Sequence, residues 1–171
     1  VLLVGLVAGL VASLTGCGAL TDLDGGTAPL MVTATADDEP AGAAEATRLL
    51  QQGADVDEQN VNGVTALMEA SGNNTEVLRV LLDHDAEVSL RDDDGWTALT
   101  YATFRHDPES VALLLDAGAV DTRPTAGELA GFSTCEIARV RADAPFDSSL
   151  PGEQSAERAD RAEVERLICE R

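Results

Sequence analysis

The chain has 171 residues, 31 of them acidic and 11 basic, for a net charge of −20, and it contains no lysine. Such a surface repels nucleic-acid phosphates and anionic lipid headgroups, which argues against nucleic-acid binding and electrostatic membrane docking. Aromatic residues make up only 3% of the chain.

Residues 1–14 carry no charge and are mainly Val, Leu, Ala and Gly. The stretch is shorter than the ~20 residues of a spanning helix and suits the apolar region of a secretory signal, which is removed and takes no part in the fold. Leu14-Thr15-Gly16-Cys17 follows and resembles the bacterial lipobox. The resemblance implies cleavage of residues 1–16, acylation of Cys17 and a stable lipid anchor, each buried methylene adding about 0.8 kcal/mol. No Met and no basic stretch precede the run, which leaves the export route open. Residues 17–27, with three glycines and two aspartates, read as a lipidated cysteine and a flexible spacer.

From residue 28 onward one pattern recurs. Gly63-Val64-Thr65-Ala66-Leu67 returns 32 residues later as Gly95-Trp96-Thr97-Ala98-Leu99. The apolar run Val77–Leu82 returns 33 or 34 residues on as Val111–Leu115, and an earlier copy of this second half stands at Arg48–Val56. A degraded copy runs from Gly131-Phe132-Ser133-Thr134-Cys135 to Glu163–Cys169. Thr65 and Thr97 stand where a hydroxyl caps a first helix. Leu67 with Ala70, and Leu99 with Ala102, share one helical face. Gly53 and Gly118 follow the second helix, where a left-handed residue ends it; Asp85 holds that place in the middle copy. Repeats of this length cannot bury their apolar faces alone and must stack.

These residues resemble the ankyrin repeat, whose pattern is G-x-T-P-L-x-x-A, a leucine-rich helix and G-A-D-V. Ala66 and Ala98 stand where that family places proline. The resemblance implies an all-α repeat solenoid over residues 28–171, of about four helix-turn-helix units with short hairpin-like turns, at about 28–59, 60–90, 91–123 and 124–171. Residues 37–43 are expected to form a longer loop in the first unit, and 143–159 an inserted loop in the last. Aligned on the repeat, Cys135 takes the place of Leu67 and Cys169 that of Leu82, at adjacent ends of antiparallel helices. They are a candidate disulfide, the alternative being two buried thiols.

Catalytic signatures are missing from the sequence: it has no phosphate-binding glycine loop and no G-x-S-x-G. His84 and His106 fall in turns and are expected to be solvated. Asp92-Asp93-Asp94 places carboxylates at consecutive positions, whereas a calcium loop alternates them, and Asp22-Leu23-Asp24 lacks a Glu at its twelfth position. No catalytic, cofactor-binding or metal-binding residue is therefore assigned. Function is expected on the surface that the resemblance assigns to partner contacts, the turn tips and the outer side of the first helices. The tip candidates are Val61, Asn62 and Val64, then Asp93, Asp94 and Trp96. Helix-side candidates are Tyr101, Phe104 and Arg105, with Met68 and Asn73 beside them. Trp96, Tyr101 and Phe104 are three of the chain's five aromatics, and aromatics with Arg are the types enriched in binding hot spots. The expected function is a non-catalytic, lipid-anchored protein-interaction module of the bacterial cell envelope whose partner is another protein. The alternative is an accessory or immunity-type subunit for one envelope enzyme or toxin.

Overall fold

Four helix pairs stack side by side in the computed structural model, which describes residues 29–35, 39–142 and 154–170. The first pair is α1 (Pro29–Ala34) and α2 (Glu39–Gln51), the second α3 (Ala66–Ala70) and α4 (Thr75–Asp83). The third is α5 (Ala98–Arg105) and α6 (Pro108–Asp116), the fourth α7 (Thr134–Ala142) and α8 (Gln154–Cys169). The first helices of the pairs touch in the order α1, α3, α5, α7, and the second helices in the order α2, α4, α6, α8. The architecture is a two-layer helical solenoid, and no strand occurs among the described residues. The residues assigned to a signal, to lipidated Cys17 and to the spacer lie outside the described residues, as do the Asp22–Asp24 run and 143–153.

Each pair is punctuated by the chemistry that its sequence announces. Thr65 Oγ1 accepts the Met68 amide at 3.2 Å, and Thr97 Oγ1 accepts that of Thr100 at 3.4 Å. In the last pair Ser133 Oγ accepts the Glu136 amide at 3.2 Å while the Glu136 carboxylate accepts the Ser133 amide at 2.7 Å, a reciprocal capping box. The Ser133 amide first, and then the Ser133 hydroxyl, hold the Glu136 carboxyl below its ordinary pKa. Asn74 and Asp107 cap the second helices α4 and α6. At the far ends, Gly53 (φ +89°), Asp85 (φ +60°) and Gly118 (φ +91°) all adopt the left-handed conformation. Each is followed by an amide that bonds back five residues, as in Ala54 to Leu49, Ala86 to Leu81 and Ala119 to Leu114. Asp85 thus adopts the backbone that the glycines supply elsewhere.

The core runs between the two layers. Leu67, Leu99, Leu78, Leu81, Leu114, Val77, Val111, Ile137 and Val164 are buried, with Ala70, Ala102 and Ala138 where the layers approach. Each fully buried Leu contributes about 1.5–3 kcal/mol over leaving it exposed, and Leu99→Ala would cost about 2–5 kcal/mol once the cavity is counted. A hydroxyl seam joins the third pair to the fourth: Thr97, Thr100 and Thr122 hydroxyls lie within 3.2–3.5 Å of one another. Thr134 Oγ1 donates to the Thr122 carbonyl at 3.3 Å. These groups are buried yet bonded, which spares the cost of stranded polar atoms.

Two loop expectations are corrected. Glu39–Ala43 belongs to α2, because Pro40 sits in the first turn, where its missing amide costs nothing. The inserted segment of the last unit ends earlier than expected: α8 starts at Gln154, so residues 154–159 are helical. Its Gln, Ala, Glu and Arg are strong helix formers, which the nearby Pro151-Gly152 obscured.

Candidate functional site

Between the helix pairs the chain folds into short fingers. Asn60 exchanges backbone bonds with Val64 and Gly63, and its side chain accepts the amides of Asn62 and Val64. Asp92, 32 residues on, does the same: its Oδ1 accepts the amides of Asp94 and Trp96 at 3.0 and 2.8 Å. Successive fingers are stitched together, the Asp93 amide to the Asn62 carbonyl at 3.0 Å and the Thr125 amide to the Asp94 carbonyl at 2.8 Å. Gln59 Nε2 spans the carbonyls of Gly63 and Arg91, and Arg91 Nη1 spans those of Gly95 and Arg123. The first carboxylate of the Asp92–Asp94 run is therefore a turn device. Among the described residues no group of three or more His, Cys, Asp or Glu could hold a metal ion. No helix among them is long and apolar enough to cross a membrane.

On the finger Asp92–Trp96, which belongs to the third unit and is called the third finger, and on α5 the structure brings Trp96, Tyr101 and Phe104 together. The Trp96 ring centroid lies 5.4 Å from Tyr101 and 5.3 Å from Phe104, at interplanar angles of 64° and 63°. These are edge-to-face contacts of the favoured kind. All three rings are half-buried, so each keeps a part facing solvent. The Tyr101 hydroxyl donates to Asp92 Oδ2 at 2.8 Å. Burial, and then that bond, push the phenol well above its ordinary pKa. Phe104 reaches the cluster because α5 is eight residues long where α3 is five. One extra residue separates the caps of this unit, which is why the repeat lengthens from 32 residues (Thr65 to Thr97) to 33 (Asn74 to Asp107).

Arg105 extends from the end of α5 over the second unit. Its stem lies against Gly72, where an added Cβ would come within 2.7 Å of it. Its head donates to Asn73 Oδ1 and stands 4.0 Å from the Glu69 carboxylate. Arg105 is therefore an inter-unit strap with part of its guanidinium still exposed. At the tips Val61, Asn62, Asp93 and Asp94 are exposed, Val61 by 72%.

Three readings change. Val64 is only 8% exposed and packs in the core, because its bonds to Asn60 fold it inward; it is not a surface contact residue. Met68 is buried likewise, while Asn73 stays exposed. His106 ends α5 in the left-handed conformation (φ +59°) with both ring nitrogens buried, whereas His84 is exposed as expected. Cys135 and Cys169 are joined as a disulfide with Cα atoms 5.2 Å apart, tying the start of α7 to the end of α8. Cys17 falls outside the described residues.

A sequence model described as "Ankyrin repeats (3 copies)" matches residues 30–125. The chain belongs to the ankyrin-repeat family. The match ends before α7, so the last helix pair extends the stack beyond the three recognised copies. The mouse protein "Ankyrin repeat and SAM domain-containing protein 6" is 37% identical over 93 residues, covering 53% of this chain. The chain spans only 10% of that relative's length. Among solved structures, the human ASB11 ankyrin repeat domain aligns with a TM-score of 0.49 at 26% identity, covering 54% of this chain and 41% of that one. Ankyrin repeats are in general non-catalytic protein-interaction modules.

Proposed function

We propose that this ankyrin array binds one partner protein through the face centred on Trp96 and Phe104, catalyses nothing, and is held at a bacterial envelope by a lipid on Cys17. The observation that carries the binding reading is the half-buried aromatic cluster, which the second unit lacks. Counted from the capping threonines, that unit has buried Val64, Glu69 and Gly72 at the positions of Trp96, Tyr101 and Phe104. Scaffold needs are met without the rings there and Tyr101 is tied to Asp92, so binding is assigned to Trp96 and Phe104. The envelope reading is supported by the lipobox-like Leu14–Cys17 and by the Cys135–Cys169 pair, since disulfides persist in oxidising compartments. The net charge of −20 fits a domain that stands off an anionic membrane.

The test has two arms. Trp96→Ala with Phe104→Ala should abolish capture of a partner from an envelope extract while circular dichroism stays native. Capture that persists would remove this face from the reading. Separately, Cys17→Ser in the full-length protein should shift it from the membrane fraction to the soluble fraction, and unchanged partitioning would remove the anchor.

A further inference from the structure

The apolar strip does not stop at the third unit. Counted from the capping residues Thr97 and Ser133, Trp96 corresponds to Phe132 and Phe104 to Val140. Phe132 is 38% exposed and Val140 46% exposed, two of the few large apolar side chains left in solvent among the described residues. Since α5 and α7 pack side by side, the repeat register places the four residues on the same side of the third and fourth units. The second unit contributes Glu69 and Gly72 at the helical positions, so the patch ends there.

The border of this patch on the finger side is acidic. Asp93 and Asp94 are exposed on the third fingertip, and their carboxylates have no partner among the described residues. Glu128 is exposed on the next turn, whose Thr125 and Ala126 amides bond the Asp94 carbonyl. The neighbouring arginines are already engaged: Arg105 with Asn73 and Glu69, Arg123 with the Gly131 carbonyl and Glu136, Arg91 with two carbonyls. A chain with a charge of −20 also repels a second copy of itself.

Resting on the binding reading above, we infer that the occupant of this face is a basic, apolar-anchored protein segment. Its apolar side chains cover Trp96, Phe104, Phe132 and Val140. Its Arg or Lys side chains meet Asp93, Asp94 and Glu128, and a cation can also lie over the exposed part of the Trp96 ring.

A random peptide library displayed on phage, selected against the full chain, tests this. The Trp96→Ala, Phe104→Ala variant serves for counter-selection after its helical signal has been verified. If that variant does not fold, Phe132→Ala with Val140→Ala on the exposed part of the patch takes its place. The expected result is enrichment of peptides with net positive charge and at least one large apolar residue. Their affinity, read from the fluorescence of Trp96, the only tryptophan, should fall about 10-fold with Asp93→Asn, Asp94→Asn, Glu128→Gln and weaken with added salt. Enriched peptides that need the aromatic face but carry no positive charge, or are indifferent to the triple substitution, would overturn the inference and leave the binding face standing. Peptides that do not distinguish the folded aromatic or Phe132/Val140 variant from the wild type would overturn both.

Discussion

The Tyr101 hydroxyl donates to one oxygen of Asp92 while the other oxygen of that carboxylate ties down the amides of Asp94 and Trp96. One side chain thus links the fingertip, the aromatic cluster and the first turn of α5. Tyr101→Phe removes a bond to a charged acceptor in a half-buried site and should cost about 1 kcal/mol, read as a lower urea midpoint with unchanged slope.

The same pair sets an alkaline limit. The phenol's pKa is raised in the fold, first by burial and then by Asp92, so the folded state holds that proton more tightly than the unfolded chain does. Stability from this group is complete below the unfolded pKa of about 10 and is lost as pH rises from there through the folded value. Between about pH 7 and 9 this group should leave urea midpoints flat, and they should fall above about pH 10. In Tyr101→Phe that fall should be shallower. An identical alkaline profile in both proteins would remove Tyr101 as its source.

Asp85 occupies the left-handed position that Gly53 and Gly118 fill in the flanking units. It also places a carboxylate beside the carbonyl end of α4, where the helix dipole disfavours negative charge. Asp85→Gly should therefore stabilise the protein by about 1 kcal/mol. Asp85→Asn, which removes only the charge, should gain a smaller part, and equilibrium urea unfolding of the three proteins separates the two causes.

The stack was legible because its signals are periodic. Thr65 and Thr97 cap helices as their spacing implies, and Leu67, Ala70, Leu99 and Ala102 face inward. What escaped are places where tertiary context decides orientation. Val64 and Trp96 occupy the same finger position, yet the smaller side chain folds into the core and the larger one cannot. Pro40 reads as a breaker until its place in a first helical turn is known. The Thr97–Thr100–Thr122–Thr134 seam joins residues on separate elements, and no local pattern marks it. The lengthening of α5 was visible only as a repeat that grows by one residue, and its consequence, Phe104 against Trp96, required the geometry.

The Cys135–Cys169 bond closes a loop over a sequence separation of 34 residues. In the chain-entropy model such a cross-link stabilises by about 3–4 kcal/mol. Reduction, or replacement of both cysteines by Ala, should lower the stability of the last helix pair by that order. Hydrogen exchange should then show protection lost in α7 and α8 before α3 to α6. Uniform loss across all four pairs would mean instead that the array unfolds as one cooperative unit.

Gly95 and Gly118 both have positive φ, +82° and +91°, but their surroundings differ. A Cβ on Gly118 meets nothing within 4 Å, so Gly118→Ala carries only the left-handed penalty of about 1–2 kcal/mol. A Cβ on Gly95 would stand 2.8 Å from Thr125 Oγ1 and 2.9 Å from the Thr125 amide nitrogen. That amide makes the finger-to-finger bond to Asp94, so it cannot retreat without breaking the stitch between the third and fourth units. Gly95→Ala should cost more than Gly118→Ala by at least about 1 kcal/mol. The excess should appear with weakened exchange protection at the Thr125 amide, and equal costs for the two substitutions would mean that the fingers are not held together through this contact.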